Sequence, residues 1–217
     1  MQINSLDKKR GYFVTLEGGE GSGNSTQLKL LEDYLSKGGY DVIFTREPGG
    51  TPISEEIRKI LLGGENTEMC DETEALLFAA ARVQHIKEKI LPAVAAGKTV
   101  VCDRYVHSSL VYQGYARGLG DFVEKVNSYA LENCMPDVTI FLDITPERAF
   151  ARKGGADKDD RLEQSGMDFH KRVYDGYVKA AGKFPDHFVR INADRPVEEV
   201  FEDILSTLES KGVIIRK

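Results

Sequence analysis

The sequence is poor in positive charge. Its 217 residues carry 29 Lys and Arg against 35 Asp and Glu, a formal net charge of −6. Nucleic acid and acidic membrane surfaces both require a net basic face. Both are therefore excluded as partners, while small anions stay open through local arginine clusters. Cysteine is scarce too. Cys70, Cys102 and Cys134 lack metal-ligand spacing, and their odd number points to reduced thiols in a cytosolic protein, ordinary small interior residues. No apolar run approaches the ~20 residues that a bilayer crossing needs. The opening MQINSLDKKRG is polar up to YFVTLE and has no apolar signal core, so we expect a soluble, cytoplasmic chain. Internal repeats and low-complexity tracts are also missing.

What is present alternates. YFVTLE, DVIFTR, TVVCDR, VTIFLD and HFVRIN are short β-branched or aromatic runs of buried-strand length. Between them lie helical periodicities over Ser25 to Lys37, Asp71 to Leu91, Asp121 to Asn133, Glu163 to Phe184 and Pro196 to Lys211. Gly38-Gly39 and Pro92 mark stops. Strands alternating with helices predict an α/β fold, a parallel sheet covered on both faces, with ligands beyond the carboxyl ends of the strands. With 41% hydrophobic residues, the chain can bury one core, and we expect a single domain over 1–217.

The chemistry sits at the strand ends. LEGGEGSGNST, residues 16–26, follows a strand and opens a helix, as a phosphate-binding P-loop does. Gly18 to Gly23 supply the glycine spacing and Ser25 the hydroxyl, but Asn24 stands where the pattern wants Lys. Backbone N–H groups of Gly21, Gly23, Asn24 and Ser25 still predict an anion nest at a helix N-terminus. TVVCDRY ends in Asp103, which can serve a Mg²⁺ shell directly or through water, and Arg104, a fork for phosphate; an ordinary ion pair is the bland alternative. Glu20 can meet a hydrated metal or a substrate hydroxyl, or simply serve the helix dipole. In TREPGGT, residues 45–51, the turn brings Arg46 and Glu47 to the ligand edge, and Arg58 is a third candidate for a second anionic ligand. Phe78 and Arg82, spaced i, i+4, can stack on and hydrogen-bond to a base, although on spacing alone Phe78 reads first as a core residue. HSSLVYQG, residues 107–114, adds hydroxyls and an amide. Residues 152–161, RKGGADKDDR, read as an exposed mobile loop between two helices, or a plain connector.

In order, EGGEGSG, TREPGGT, LLFAAAR, CDRYVHSSLVYQG and DRLEQ resemble thymidylate kinase in its bacterial form, from about Tyr12 to the last helix. The resemblance implies a P-loop nucleoside monophosphate kinase fold with a five-stranded parallel sheet flanked by helices. It also implies transfer of the γ-phosphoryl of Mg·ATP to dTMP in dTTP synthesis, giving ADP and dTDP, with Mg²⁺ as cofactor and a homodimer as the assembly. By position, Gly18, Gly19, Glu20, Gly21, Ser22, Gly23, Asn24, Ser25 and Thr26 match the ATP phosphate site, with Ser25 and Asp103 at the metal. Phe78 matches the thymine stack and Arg82 the base edge. Arg58 and Arg104 match the dTMP phosphate contacts, and Ser108, Ser109, Tyr112 and Gln113 the acceptor pocket. Glu20, Glu47 and Asp103 match acidic positions around sugar, metal and transferring group. Residues 152–161 match the lid, whose Arg152, Lys153, Lys158 and Arg161 are candidates to reach the phosphates. The family has Lys where this chain has Asn24. Catalysis is therefore expected to be impaired, since phosphoryl transfer depends on neutralising charge. A catalytically silent, regulatory or scaffolding relative is the alternative, against which the intact acceptor residues argue; a kinase with another acceptor is a third.

Overall fold

A computed structural model describes residues 10–153, 162 and 165–216. Its sheet is five-stranded, in the order β2-β3-β1-β4-β5. The strands are β1 (Phe13–Glu17), β2 (Val42–Arg46), β3 (Thr99–Asp103), β4 (Val138–Asp143) and β5 (Phe188–Asn192), all paired in parallel. The fold class expected from the alternation is the one observed.

Period-2 geometry divides β1 between two cores. Val14 and Leu16 join Leu31 and Leu35 of α1 (Asn24–Lys37) on one face, together with Ile204 and Leu208 of α10 (Val197–Ser210). Phe13 points the other way. It packs with Val100, Cys102 and Tyr105, and with Ile86 and Ile90 beyond α3 (Asp71–His85). Farther along that face, Phe141 packs with Val111, Phe188 and Tyr177 of α9 (Met167–Lys183).

Several helical boundaries differ from those the periodicity predicts. After α3 the chain passes through a π-helical turn, Ile86–Ile90, into α4 (Leu91–Ala95). Pro92 does not stop it, because a proline in the first helical turn has no N–H to leave unpaired. The helix expected over Asp121 to Asn133 is broken into α6 (Asp121–Val126) and α7 (Ser128–Asn133). At the break, the Asn127 side chain donates to the Val123 carbonyl, a local bond that competes with helix continuation. Three helices lack a counterpart in the periodicity: α2 (Pro52–Leu62), α5 (Val106–Ser109) running on into a π-helical Leu110–Ala116, and α8 (Pro146–Lys153).

The register levels three strand ends. Leu16 and Arg46 both pair with Asp103 across the sheet, and the Arg104 and Glu47 N–H groups donate to the Leu16 and Asp103 carbonyls. The segments after β1, β2 and β3 thus meet on one edge.

Candidate active site

At that edge lies a cavity of about 590 Å³. Its floor is the P-loop. Gly21 and Gly23 hold φ of +72° and +105°, a left-handed backbone that only glycine adopts without strain. Gly23 precedes α1, which has no side-chain cap and no acidic residue in its first turn. The first N–H groups of the helix therefore open on the cavity without a side-chain partner, where the helix dipole favours an anion. Ser25 and Thr26 are exposed on the same wall. Asn24 is bound into the protein. Its Nδ2 donates to Asp103 Oδ1 at 3.0 Å, and Ser22 Oγ donates to its Oδ1 at 3.1 Å. Ser25 and Asp103 together supply a hydroxyl and a carboxylate, the hard oxygen donors that suit Mg²⁺.

Above the floor stands Arg104, with a strained φ of +62°. Its guanidinium donates to the Gly18 carbonyl and to Glu20 Oε1, each at 2.7 Å, and to the Tyr177 hydroxyl at 3.3 Å. Tyr112 adds its hydroxyl to Glu20 at 3.1 Å. Below this group lies Glu17, fully buried because its place in β1 turns it inward with Phe13 and Thr15. Ser108 Oγ at 2.6 Å and Tyr177 OH at 2.8 Å donate to its Oε2, and the Tyr105 N–H donates to Oε1 at 2.9 Å. Burial pushes its carboxyl up to about 7, against the pull of these hydrogen bonds and of the Arg104 charge.

The far wall belongs to α3. Arg82 is buried and uses four of its five N–H groups within the protein: to Glu47 at 2.7 Å, Ser109 at 3.0 Å, the Tyr105 carbonyl at 3.1 Å, and Asn127. His85 braces the other oxygen of Glu47 at 3.0 Å. Phe78 packs with Leu61 and Leu162 and also lines the cavity. The ring is thus packed in a small cluster and open to the cavity at once. Arg58 donates to the Pro48 carbonyl at 2.8 Å.

The cavity lining brings together nearly all the site residues expected from the sequence, from Gly19 to Thr26 through Glu47, Arg58, Phe78, Arg82, Asp103, Arg104, Ser108, Ser109 and Tyr112 to Gln113. Gly18 lies just behind, its carbonyl held by Arg104. Arg46 lines the cavity edge but is paired with Glu55. Arg152 lines the cavity as well, but its place in the chain differs from the one expected. Together with Lys153 it ends α8 rather than opening a loop, and it donates to the carbonyls of Gly21 at 2.9 Å and Ser22 at 2.8 Å. Lys158, Arg161 and most of the expected lid lie outside the described residues. Glu17, Tyr177, Glu74 and Arg117 were beyond the sequence reading. Glu17 stood inside the quoted loop and could have been found from strand alternation. Tyr177, 160 residues away from it, has no local signal.

A family profile described as thymidylate kinase matches residues 16–204. The thymidylate kinase of Bacillus cytotoxicus is 51% identical over 205 residues, covering 93% of this chain and 99% of that protein. That of Clostridium novyi is 47% identical over 203 residues, covering 92% and 99%, and that of Bacillus cereus strain B4264 is 49% identical over 205 residues. A cavity floored by an uncapped helix and a match of this extent lead to one conclusion: the chain belongs to the thymidylate kinase family.

Proposed function

We propose that this chain transfers the γ-phosphoryl group of Mg·ATP to dTMP, giving ADP and dTDP for dTTP synthesis, at a rate depressed by Asn24. The observation that carries the reading is the continuity of the cavity. Its floor is an anion nest, its far wall holds an aromatic ring and an amide, and Asp103, Arg104 and Glu20 stand between. The ATP phosphates rest on the N–H groups of residues 18–26. Ser25 and Asp103 would hold Mg²⁺, which when bound neutralises charge on the phosphate oxygens. Arg104 and Arg58 orient the acceptor phosphate, with Glu20 fixing the fork of Arg104. Phe78 stacks on thymine, Arg82 and Gln113 face its edge, and Ser108, Ser109 and Tyr112 close the sugar side. Glu47 acts through Arg82. Arg152, in the cavity lining, steadies the phosphate loop through its carbonyls, and Lys153 and Arg161 are further cations for the transferring group.

The working assembly is a homodimer. Ile53 and Ile60, exposed by 56% and 48% and one heptad apart on α2, offer its contact.

The test is a coupled assay on this protein over a panel of nucleoside monophosphates, with ATP and Mg²⁺. Turnover of dTMP above the others is expected. Preference for another acceptor, or ATP binding with no transfer to any of them, would overturn the reading.

A further inference from the structure

Gln113 is buried in the acceptor wall, and its amide is held at one end. Its Nε2 donates to Glu74 Oε1 at 2.8 Å. Glu74, on α3, is fully buried and ion-paired with Arg117, whose Nη2 donates to Oε2 at 3.2 Å and whose Nε donates to Oε1 at 3.4 Å. Arg117 is itself held by Asp71 at 3.3 Å and lies over the Phe169 ring. A carboxylate paired with arginine only accepts hydrogen bonds, so it can take only the N–H₂ end of the amide. The opposite end, Oε1, receives no hydrogen bond among the described residues, on a side chain that lines the cavity.

We infer that Glu74, fixed by Arg117, is a positioning residue that sets the amide of Gln113 with its oxygen toward the acceptor and so selects a pyrimidine whose N3 carries hydrogen. The inference rests on the acceptor reading above. Thymine and uracil carry a donor at N3. Cytosine carries a lone pair there, which would face another lone pair and leave a buried acceptor unmatched, the kind of mismatch that discriminates strongly between ligands. Neither Glu74 nor Arg117 needs to touch the substrate.

Glu74→Gln reverses the device. Of the two Arg117 contacts the shorter, from Nη2, keeps the carbonyl oxygen of residue 74, and the longer, from Nε, is given up, which turns the new N–H₂ toward Gln113. The Gln113 amide then flips, and Nε2 donates into the cavity. Calorimetry with dUMP, dTMP and dCMP, without turnover, reads the outcome, with Mg·ATP binding as the folding control. In the unaltered protein dUMP and dTMP should bind well ahead of dCMP. In Glu74→Gln the dUMP to dCMP ratio should fall at least about tenfold, the worth of one hydrogen bond, with dCMP gaining in absolute terms. A residue that merely stabilises the wall would weaken all three alike. Gln113→Met, which keeps Glu74 and Arg117 paired, should cut dUMP and dTMP binding while sparing dCMP. An unchanged ratio in either variant overturns the proposal while leaving dTMP as the acceptor. An unaltered protein with no preference for dTMP over dCMP overturns both.

Discussion

At the scale of single residues, Glu17 and Asn24 stand at the two ends of the phosphate loop, and each carries a prediction. Asn24 spends its amide on Asp103 and Ser22 and brings no charge to the phosphates. One preorganised donor lost from such a site costs on the order of 10²–10³ in turnover, so Asn24→Lys should raise kcat by at least about that factor with little change in the KM for dTMP. Steady-state kinetics would contradict this if the Asn24 protein already ran at about 1–100 s⁻¹ and gained nothing. Glu17 governs stability instead. Its carboxyl titrates near 7 when folded, against an ordinary 4.5. Between these values the folded chain keeps a proton that the unfolded chain releases, so stability from this group is full below 4.5 and is lost as pH rises through 7. The amount is about 3 kcal/mol. His107 opposes it. Burial holds the imidazole neutral down to about 3, so its contribution is lost as pH falls below the ordinary 6.5. Glu17→Gln should therefore leave the His107 slope unopposed, with stability dropping steadily from pH 6.5 to 4.5. Urea midpoints across pH 4.5–8 that change in parallel for both proteins would refute the assignment.

At the scale of elements, legibility followed the range of the physics. All five strands could be read within about a residue, because buried parallel strands are continuous apolar runs whose signal lies in the residues themselves. The phosphate loop was legible for the same reason, since glycines that must hold positive φ declare themselves. The pieces that escaped depend on partners far along the chain. The π-helical Leu110–Ala116 is polar as well as apolar in sequence, and it becomes a wall only because α9 packs on it. The bond from Gln113 to Glu74 spans 39 residues, and no local period encodes it. Phe78 lies between these cases, since spacing on α3 allows a core residue or a stacking ring and the structure gives it both surroundings. Phe78→Ala should then fail twice. Unfolding should lose on the order of 3–5 kcal/mol, as for other buried phenylalanines, and dTMP binding about 1–3 kcal/mol, the range for base–aromatic stacking. A thermal melt read beside dTMP calorimetry separates the two. Loss of stability with undiminished dTMP affinity would leave Phe78 as core alone.

At the scale of the whole molecule, Ile53 and Ile60 on α2, both exposed, are the contact the proposed homodimer would bury. Sedimentation should give about twice the 24.1 kDa chain mass, and Ile60→Asp should return the monomer, because a carboxylate cannot be buried in an apolar contact without a counter-charge. A monomer from the unaltered protein would remove the dimer. Within one copy, the grip of Arg152 has a mechanical meaning. A single guanidinium ties the last turn of α8 to the carbonyls of Gly21 and Ser22, and through its other nitrogen to Ala193 after β5 at 3.0 Å. The Ser22 carbonyl it holds belongs to the same peptide unit as the Gly23 N–H, one of the proposed phosphate donors, whereas the Ser22 N–H behind the Gly21 carbonyl is spent on the Gly19 carbonyl. Any swing of the end of α8 must therefore either release that grip or tilt that unit, and the helix end works as a tiller on the loop, turning a donor through the carbonyl behind it.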